Sequence, residues 1–351
     1  MKSGPAESTA EMRMPVKRLL VTIVVVFCTA SWAAKSAVVR GPVPGEADGS
    51  GACEPTSPVP GTPRAVATES LADRCRERAV RLPQQLDQPC AVVIQPPFVL
   101  SGDLSEAELR AKFTEVIQPT CDALLAGYFR DLPDRPVTIL MFSEEAAYRR
   151  TAEQLFFDRH VSRFGYYKPG RQTVLVSLAE GDGGLLHELT HVLMDADFPA
   201  APRWLQEGLA ALHEGSEVRT FGGHAGSSSA ADGRLGGRVE QAPRLVPNHN
   251  WRLTVLKRAK AENRLPRVKE WITSSQFRGS GEALDYAYAR YFCWFLHDRG
   301  ELQQLYVALR ERSAPDPTGA AALLEVLAAS NWAPVDHQFR TWLNAVINRP
   351  S

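Results

Sequence analysis

One short stretch of the chain combines residue types that can bind and use a metal ion. The segment "GDGGLLHELTHVLMDADFPAAPRWLQEGLAAL" contains His187, Glu188 and His191 in the order H-E-x-x-H, and then Glu207 within W-L-Q-E-G. Residues four apart lie on the same face of a helix, so the two histidines can point at one ion. Zinc in hydrolases has three protein ligands and one open position. The spacing therefore predicts one Zn²⁺ ion held by His187, His191 and Glu207.

Glu188 has the position of a general base in this pattern. About 100° of helix rotation separates it from His187, which places it on the side where a metal-bound water would sit. Zinc lowers the pKa of such a water to about 7. We expect Glu188 to accept its proton and to return that proton to the leaving amine. The predicted reaction is hydrolysis of a peptide bond.

The reaction also requires a donor that stabilises the developing oxyanion. The segment "YAYARY" offers three tyrosines and one cation: Tyr286, Tyr288, Tyr291 and Arg290. We take Tyr286 as the candidate for this role. The alternative is that all three tyrosines pack within an aromatic-rich helix.

Two consecutive helices must bring the metal ligands together. Asp182 is a candidate N-cap of the first helix, and Pro202 opens the second at a position where proline is tolerated. The 16 positions from His191 to Glu207 allow the chain to turn and return antiparallel. Gly208 would let the second helix approach the first closely. The alternative is a buried helix whose histidines satisfy each other or backbone groups.

Five further polar residues near the motif are weaker candidates. His213 and Glu214 could support a metal ligand, but the pattern favours surface positions for both. Asp195 and Asp197 could orient a ligand histidine, but termination of the helix and exposure to solvent are favoured. His224 lies in a Gly/Ser-rich segment and has no partner in the sequence.

The segments before the motif alternate between extended and helical patterns. "CAVVIQPPFVLSG" and "RPVTILMFS" are extended, while "SEAELRAKFTEVIQPTCDALLAGYF", with an S-x-x-E cap at Ser105, and "EEAAYRRTAEQLF" are helical. "RFGYYKPGRQTVLVSLAEG" is typical of a hairpin that turns at Pro169 and Gly170. Six helical segments follow from Trp251 onward. We therefore predict an α+β fold with a small mixed sheet, followed by an all-helical C-terminal lobe.

Composition divides the chain into five regions. Residues 1–34 contain Lys17 and Arg18 and then no charge before Lys35, which is typical of a secretory signal peptide, with a membrane anchor as the alternative. The other regions are a flexible Pro/Gly-rich tether (35–70), an α/β half with the motif (71–215), a Gly/Ser-rich loop (216–250) and a helical lobe (251–351). We therefore expect export to the periplasm, the cell envelope or the medium, with a membrane tether if the first segment is retained.

Charge and cysteine content narrow the class of partner and compartment. Lys plus Arg and Asp plus Glu both number 40, so the formal net charge of zero argues against nucleic acid as the main partner. An oxidising compartment would permit disulfides among the four cysteines nearest the exported N-terminus: Cys53, Cys75, Cys90 and Cys121. Cys293 lies in an apolar run and is predicted to be a buried free thiol.

The residues "HELTH" and "PRWLQEGLA" resemble the gluzincin metallopeptidases, the peptidase-MA-like group. Within that group the chain is similar to a family of exported bacterial proteins of poorly defined function, in which "GYYKP", "TVLVSL", "NWR" and "YAYAR" have counterparts in this order. The resemblance covers roughly Val92 to Leu343. It implies a zincin-like sheet above an active-site helix.

The resemblance also carries metal ligation onto His187, His191 and Glu207 and the role of base onto Glu188. One position departs from the thermolysin-like pattern, because Ala211 stands where those enzymes place an acidic residue that supports a ligand histidine. The G-x-M-E-N signature of the aminopeptidase branch is also missing, so exopeptidase activity is not predicted.

These observations predict a zinc metallopeptidase, an endopeptidase, that acts on a peptide or protein substrate outside the cytoplasm. The alternative is a non-catalytic, metal-containing scaffold or binding protein of the cell envelope. The sequence does not indicate the substrate or the oligomeric state.

Overall fold

A five-stranded mixed sheet lies at the centre of the first half of the chain. The computed structural model describes residues 69–86, 90–219 and 243–349. The strands of this sheet are β1 (Val93–Gln95), β2 (Phe98–Gly102), β3 (Val137–Phe142), β4 (Gly165–Lys168) and β5 (Thr173–Ser177). Their order is β1-β2-β3-β5-β4, with β2, β3 and β5 parallel and an antiparallel strand at each edge. The predicted α+β class and mixed sheet are confirmed.

Helices cover both faces of the sheet. They are α1 (Leu71–Arg81), α2 (Glu106–Lys112), α3 (Gln118–Gly127), α4 (Glu145–Phe156), α5 (Gly183–Asp197) and α6 (Arg203–His213). On β3, Ile139 and Met141 belong to the core that contains α5, while Leu140 and Phe142 belong to the core formed with α1 and α4. This arrangement explains why all six residues of β3 are buried and why its sequence is a continuous apolar run.

Two predicted local features are observed, and one extended segment contains a further turn. The hairpin of β4 and β5 turns at Pro169–Arg171, as predicted. The first extended segment is itself a hairpin, because β1 and β2 pair on either side of the cis peptide bond between Pro96 and Pro97. Ser105 forms the predicted capping box with Glu108.

The lobe from Trp251 onward is helical within its described residues. The helices are α7 (Arg252–Ala261), α8 (Val268–Ser274), α9 (Glu282–Asp298), α10 (Leu302–Arg312), α11 (Ala320–Val326) and α12 (Trp332–Asn348). Helix α9 is the centre of this lobe, since Ala287, Tyr291 and Phe292 are fully buried. It packs against α6, so the lobe is attached directly to the helix that carries Glu207.

The ends of the Gly/Ser-rich loop are more regular than predicted. Glu217–Arg219 (β6) and Arg244–Val246 (β7) form an antiparallel pair, although the sequence predicted an irregular connection there. Val218 lies between two charged residues in β6, and Leu245 and Val246 follow Arg244 in β7, which suits a small two-stranded ribbon. His224 lies outside the described residues.

Several predictions fall on residues that the structure does not describe. The predicted signal peptide and almost all of the tether lie in 1–68, as does Cys53. Among the described cysteines, Cys75, Cys90 and Cys121 are free thiols, so a disulfide stays a prediction. Cys293 is a buried free thiol, as the sequence predicts. No helix in the described ranges has the length and apolarity that a membrane crossing needs.

Candidate metal centre

Helix α5 presents both histidines from a largely buried position. Its apolar residues Leu185, Leu189 and Leu193 are fully buried in the core on one face of the sheet. His187 and His191 lie four residues apart on another face, with their rings 4.9 Å apart between centroids. The helical spacing of the motif therefore has the predicted local effect.

Helix α6 brings Glu207 to the two histidines. It begins at Arg203, with Pro202 immediately before it as the N-cap residue. The proposed reason for Gly208 was wrong, since a Cβ atom there would come within 2.9 Å of the Ala289 carbonyl oxygen. The glycine therefore permits close packing of α6 on α9, rather than on α5.

The three predicted ligands converge on one point. The Nε2 atoms of His187 and His191 are 3.2 Å apart. Glu207 Oε2 lies 3.7 Å from His187 Nε2 and 3.5 Å from His191 Nε2. Ligand atoms at about 2.0–2.2 Å from a tetrahedral zinc ion are separated by roughly 3.3–3.5 Å. The observed separations therefore suit three ligands of a single small cation.

The hydrogen bonding of Glu207 also indicates a missing positive partner. Its Oε2 atom is buried and has no hydrogen-bond partner among the described residues. Arg203 is the nearest cation to its other oxygen, at 3.8 Å between Nε and Oε1. A buried carboxylate oxygen without a partner is costly, and a metal ion would remove this cost. The residues present thus form a group that could hold a metal ion.

The electrostatic potential at the centre is negative. Burial alone would lower the pKa of His187, but the nearby carboxylates of Glu207 and Glu214 raise it to about 10. Burial alone would raise the pKa of Glu207, but the two histidines lower it. The same potential that holds a proton on His187 favours a divalent cation, which binds in competition with that proton.

Glu188 lies beside the ligands without being one of them. Its side chain is 6% exposed and accepts a hydrogen bond from the backbone N–H of Tyr167, on the edge strand β4. Burial raises the pKa of Glu188, and His187 and His191 partly oppose that effect. A carboxylate with a raised pKa next to a metal centre suits proton transfer.

Glu214 is a functional candidate whose placement the sequence analysis got wrong. It was predicted to lie at the surface, but its side chain is only 15% exposed and its Oε2 is 3.5 Å from His187 Nδ1. It follows Glu207 by seven residues, which is two helical turns, so a search along that helical face would have found it. Glu214 therefore occupies the supporting position that Ala211 leaves open.

Arg252 fixes the orientation of Glu214. Its NH1 atom is 2.6 Å from both carboxylate oxygens, and the residue is 6% exposed. Burial alone would raise the pKa of Glu214, but the charge of Arg252 and contact with His187 lower it to about 2. Arg252 opens α7, within the N-W-R segment, so the helical lobe takes part in the metal centre.

The structure separates the four candidate oxyanion donors by location. Tyr286 is buried beside the centre. It hydrogen-bonds with Arg203, and its hydroxyl interacts electrostatically with Glu207. Tyr288 donates to the Pro266 carbonyl oxygen within the aromatic core.

The other two donors lie away from the metal ligands. Arg290 donates to the carbonyl oxygens of Leu212 and Asn248. Tyr291 packs against His249. Tyr286 is therefore the candidate that the geometry keeps at the centre.

Two further side chains differ from their predicted positions. His213 is buried beside Tyr128 rather than exposed, because α6 is covered on both sides. The Asp197 side chain is 2% exposed, since Arg130 and Arg310 enclose it.

The other acidic residues of the motif make direct contacts of their own. Asp195 accepts a hydrogen bond from the Tyr167 hydroxyl at 3.0 Å. Asp182 occupies the predicted N-cap position of α5, but its carboxylate binds Lys112 Nζ at 2.6 Å and makes no capping hydrogen bond.

No known family model matches the chain, and no curated protein has a similar sequence. The geometry of the site is therefore the evidence for its chemistry.

Proposed function

We propose that the protein is a zinc-dependent endopeptidase with a zincin-like catalytic half. The observation that carries the proposal is the buried group of His187, His191 and Glu207, with Glu188 beside it. Among the described residues this group supplies three ligands rather than four. Three protein ligands and an open position are typical of catalytic zinc sites, whereas structural sites are closed by four.

The position of Glu188 suggests where a substrate would bind. The backbone N–H of Tyr167 points to Glu188, away from β5, so the carboxylate lies along the outer edge of β4. No other described strand pairs with that edge. An extended peptide could add to β4 as a further antiparallel or parallel strand and place one of its peptide bonds beside Glu188. Binding through backbone groups favours cleavage within a chain.

The chain's own groups divide the work of hydrolysis. A zinc ion held by the three ligands would acidify a water molecule and polarise the scissile carbonyl. Glu188 accepts the proton from the attacking water and passes it to the leaving amine. Tyr286 donates to the developing oxyanion, with Arg203 holding its hydroxyl in place. Glu214 and Arg252 fix the ring of His187.

The alternative, a non-catalytic scaffold with a structural metal, leaves Glu188 unexplained. Its burial costs free energy, which the two nearby histidines and one backbone N–H offset only in part. A scaffold would be as stable, or more stable, with an apolar residue there.

The place of action remains tied to the N-terminal sequence. We propose that the enzyme acts outside the cytoplasm, on the strength of the basic, apolar and small-residue succession in residues 1–34.

The test combines metal analysis with cleavage of an unbiased peptide library. We expect one zinc per chain, chelator-sensitive cleavage at internal bonds, and loss of cleavage in Glu188→Gln with zinc retained. Glu144→Gln, a change at the exposed residue immediately before α4, is the matched control. Protein that binds no divalent metal at neutral pH, or a fully active Glu188→Gln variant, would contradict the proposal.

A further inference from the structure

A cavity lies on the face of the sheet opposite to the candidate metal centre. It has a volume of about 640 Å³ and lies between α1, the start of β3 and the end of α4. Thr138 and Leu140 of β3 line it, whereas Ile139 and Met141 face the core that contains α5. The sheet therefore separates this cavity from His187 and His191.

Four arginines line the cavity. Arg74, Arg78 and Arg81 follow one another at helical spacings of four and three, so α1 presents them on one face. Arg171 joins them from the turn between β4 and β5. Among the described residues only two acidic side chains line the same cavity, and one of them, Glu77, is paired with Arg81.

Three of these arginines have no carboxylate partner among the described residues. Arg78 is half-buried, and its NH1 atom bonds only to neutral oxygens: Thr138 Oγ1 at 3.2 Å and the carbonyl oxygens of Arg171 at 3.1 Å and Gln172 at 3.4 Å. Arg74 donates to the Asp134 carbonyl oxygen, and its Nε atom is buried without a partner. Burial lowers the pKa of Arg78, as expected for a charge without compensation. An anion in the cavity would supply that compensation.

We infer that this cavity binds a small anionic ligand through its phosphate or carboxylate groups. Guanidinium groups match both kinds of group with paired hydrogen bonds. The volume falls in the range of sites for small molecules. Gln85 and Gln154 at the rim can donate to the uncharged part of the ligand. The inference does not depend on the proposed peptidase activity.

The test is calorimetric titration of the full-length protein with inorganic phosphate and, separately, with tricarballylate, at constant ionic strength. We expect saturable one-to-one binding of at least one of them. The anion that binds more tightly shows whether the cavity prefers phosphate or carboxylate groups. Arg74→Gln and Arg171→Gln should each weaken it about tenfold, equivalent to about 1.4 kcal/mol. The exposed side chain of Arg171 makes its variant safe for folding.

Arg110→Gln is the matched control, since Arg110 lies outside the cavity and pairs with Glu106. Its affinity should stay within about twofold of the natural protein. No saturable binding of either anion, or equal weakening by Arg110→Gln, would overturn the inference. Binding of an acidic peptide that neither small anion displaces would also overturn it, because the occupant would then be a macromolecule.

Discussion

Helix α5 carries two buried polar clusters with opposite properties. At its C-terminal end, Asp197 is enclosed by Arg130 Nε at 2.8 Å, Arg310 NH1 at 2.7 Å and the Tyr306 hydroxyl at 2.9 Å. In its middle, His187 and His191 face Glu207 at 3.5 to 3.7 Å, and one buried oxygen of Glu207 has no partner.

The difference distinguishes a structural cluster from a binding one. In the Asp197 cluster the carboxylate already meets two guanidinium groups and a hydroxyl, so it needs no cation from solution. The histidine cluster leaves the buried Oε2 atom of Glu207 without a hydrogen-bond partner, and a cation would compensate the charge of this carboxylate. Both clusters contain buried polar groups. They differ in whether other groups of the protein supply the hydrogen bonds and opposite charges that those polar groups need.

Removal of the Glu207 carboxylate should have the largest effect on the metal. We expect Glu207→Gln to weaken zinc binding by more than 100-fold, since loss of a mere supporting partner costs about 10- to 100-fold. A competition titration against a chromophoric chelator measures this. Glu217→Gln, an exposed change on β6, should leave zinc affinity unchanged. Equal zinc affinity in both variants would show that Glu207 is not a ligand.

Disruption of the Asp197 cluster should act on stability and spare the metal. Asp197→Asn should lower the free energy of unfolding by about 3 kcal/mol, because two arginines lose their charged partner. Urea unfolding of the metal-free protein measures it. Asp134→Asn is the control, as that side chain is 93% exposed. A weaker zinc affinity of folded Asp197→Asn would contradict this expectation. It would show that the two clusters act as one functional unit.

Tyr286 and Tyr288 offer a comparison within a single helix. Tyr286→Phe should lower kcat by roughly 100-fold with little change in zinc content, as expected for a lost oxyanion donor. Tyr288→Phe removes only a hydrogen bond to the Pro266 carbonyl oxygen and should change stability rather than kcat. Steady-state kinetics on a cleaved peptide decides between them, and equal kcat values for the two variants would return Tyr286 to a packing role.

The contact between Glu214 and His187 should strengthen zinc binding without being essential for it. We expect Glu214→Gln to weaken zinc binding by about 30-fold while the site still fills at high zinc. Glu262→Gln, which disrupts only surface pairs with Arg258 and Arg264, is the control. If Glu214→Gln binds zinc as tightly as the natural protein, the carboxylate serves packing alone.

The pH dependence of stability gives the smallest expected effect. Burial would raise the pKa of Asp197, but Arg130, Arg310 and Tyr306 lower it below its usual 3.8. A lowered pKa means that the cluster stabilises the folded state above about pH 4 and that this contribution is lost as the pH falls through the folded pKa. The difference in unfolding free energy between the natural protein and Asp197→Asn should therefore be constant near neutral pH and shrink in acid. A difference that grows in acid would contradict the assigned direction.

Features that depend on short-range pattern were predicted well. The strand at Val137–Phe142, the capping box at Ser105 and the hairpin that turns at Pro169 follow from apolar runs and turn residues. The convergence of His187 and His191 needed only helical geometry. The partner of Gly208 was mistaken, because a small residue shows that something approaches closely but not which element does.

The sequence by itself determined the local chemistry: two imidazoles on one helical face, a carboxylate beside them, and a second helix that returns with Glu207. Tertiary structure alone decided which polar residues are buried and with whom. Glu214 meets Arg252 across 38 positions, and Asp197 meets Arg310 across 113. The physical reason is that the periodicity of a helix fixes the direction of a side chain relative to its neighbours, whereas its exposure depends on elements that pack from distant parts of the chain.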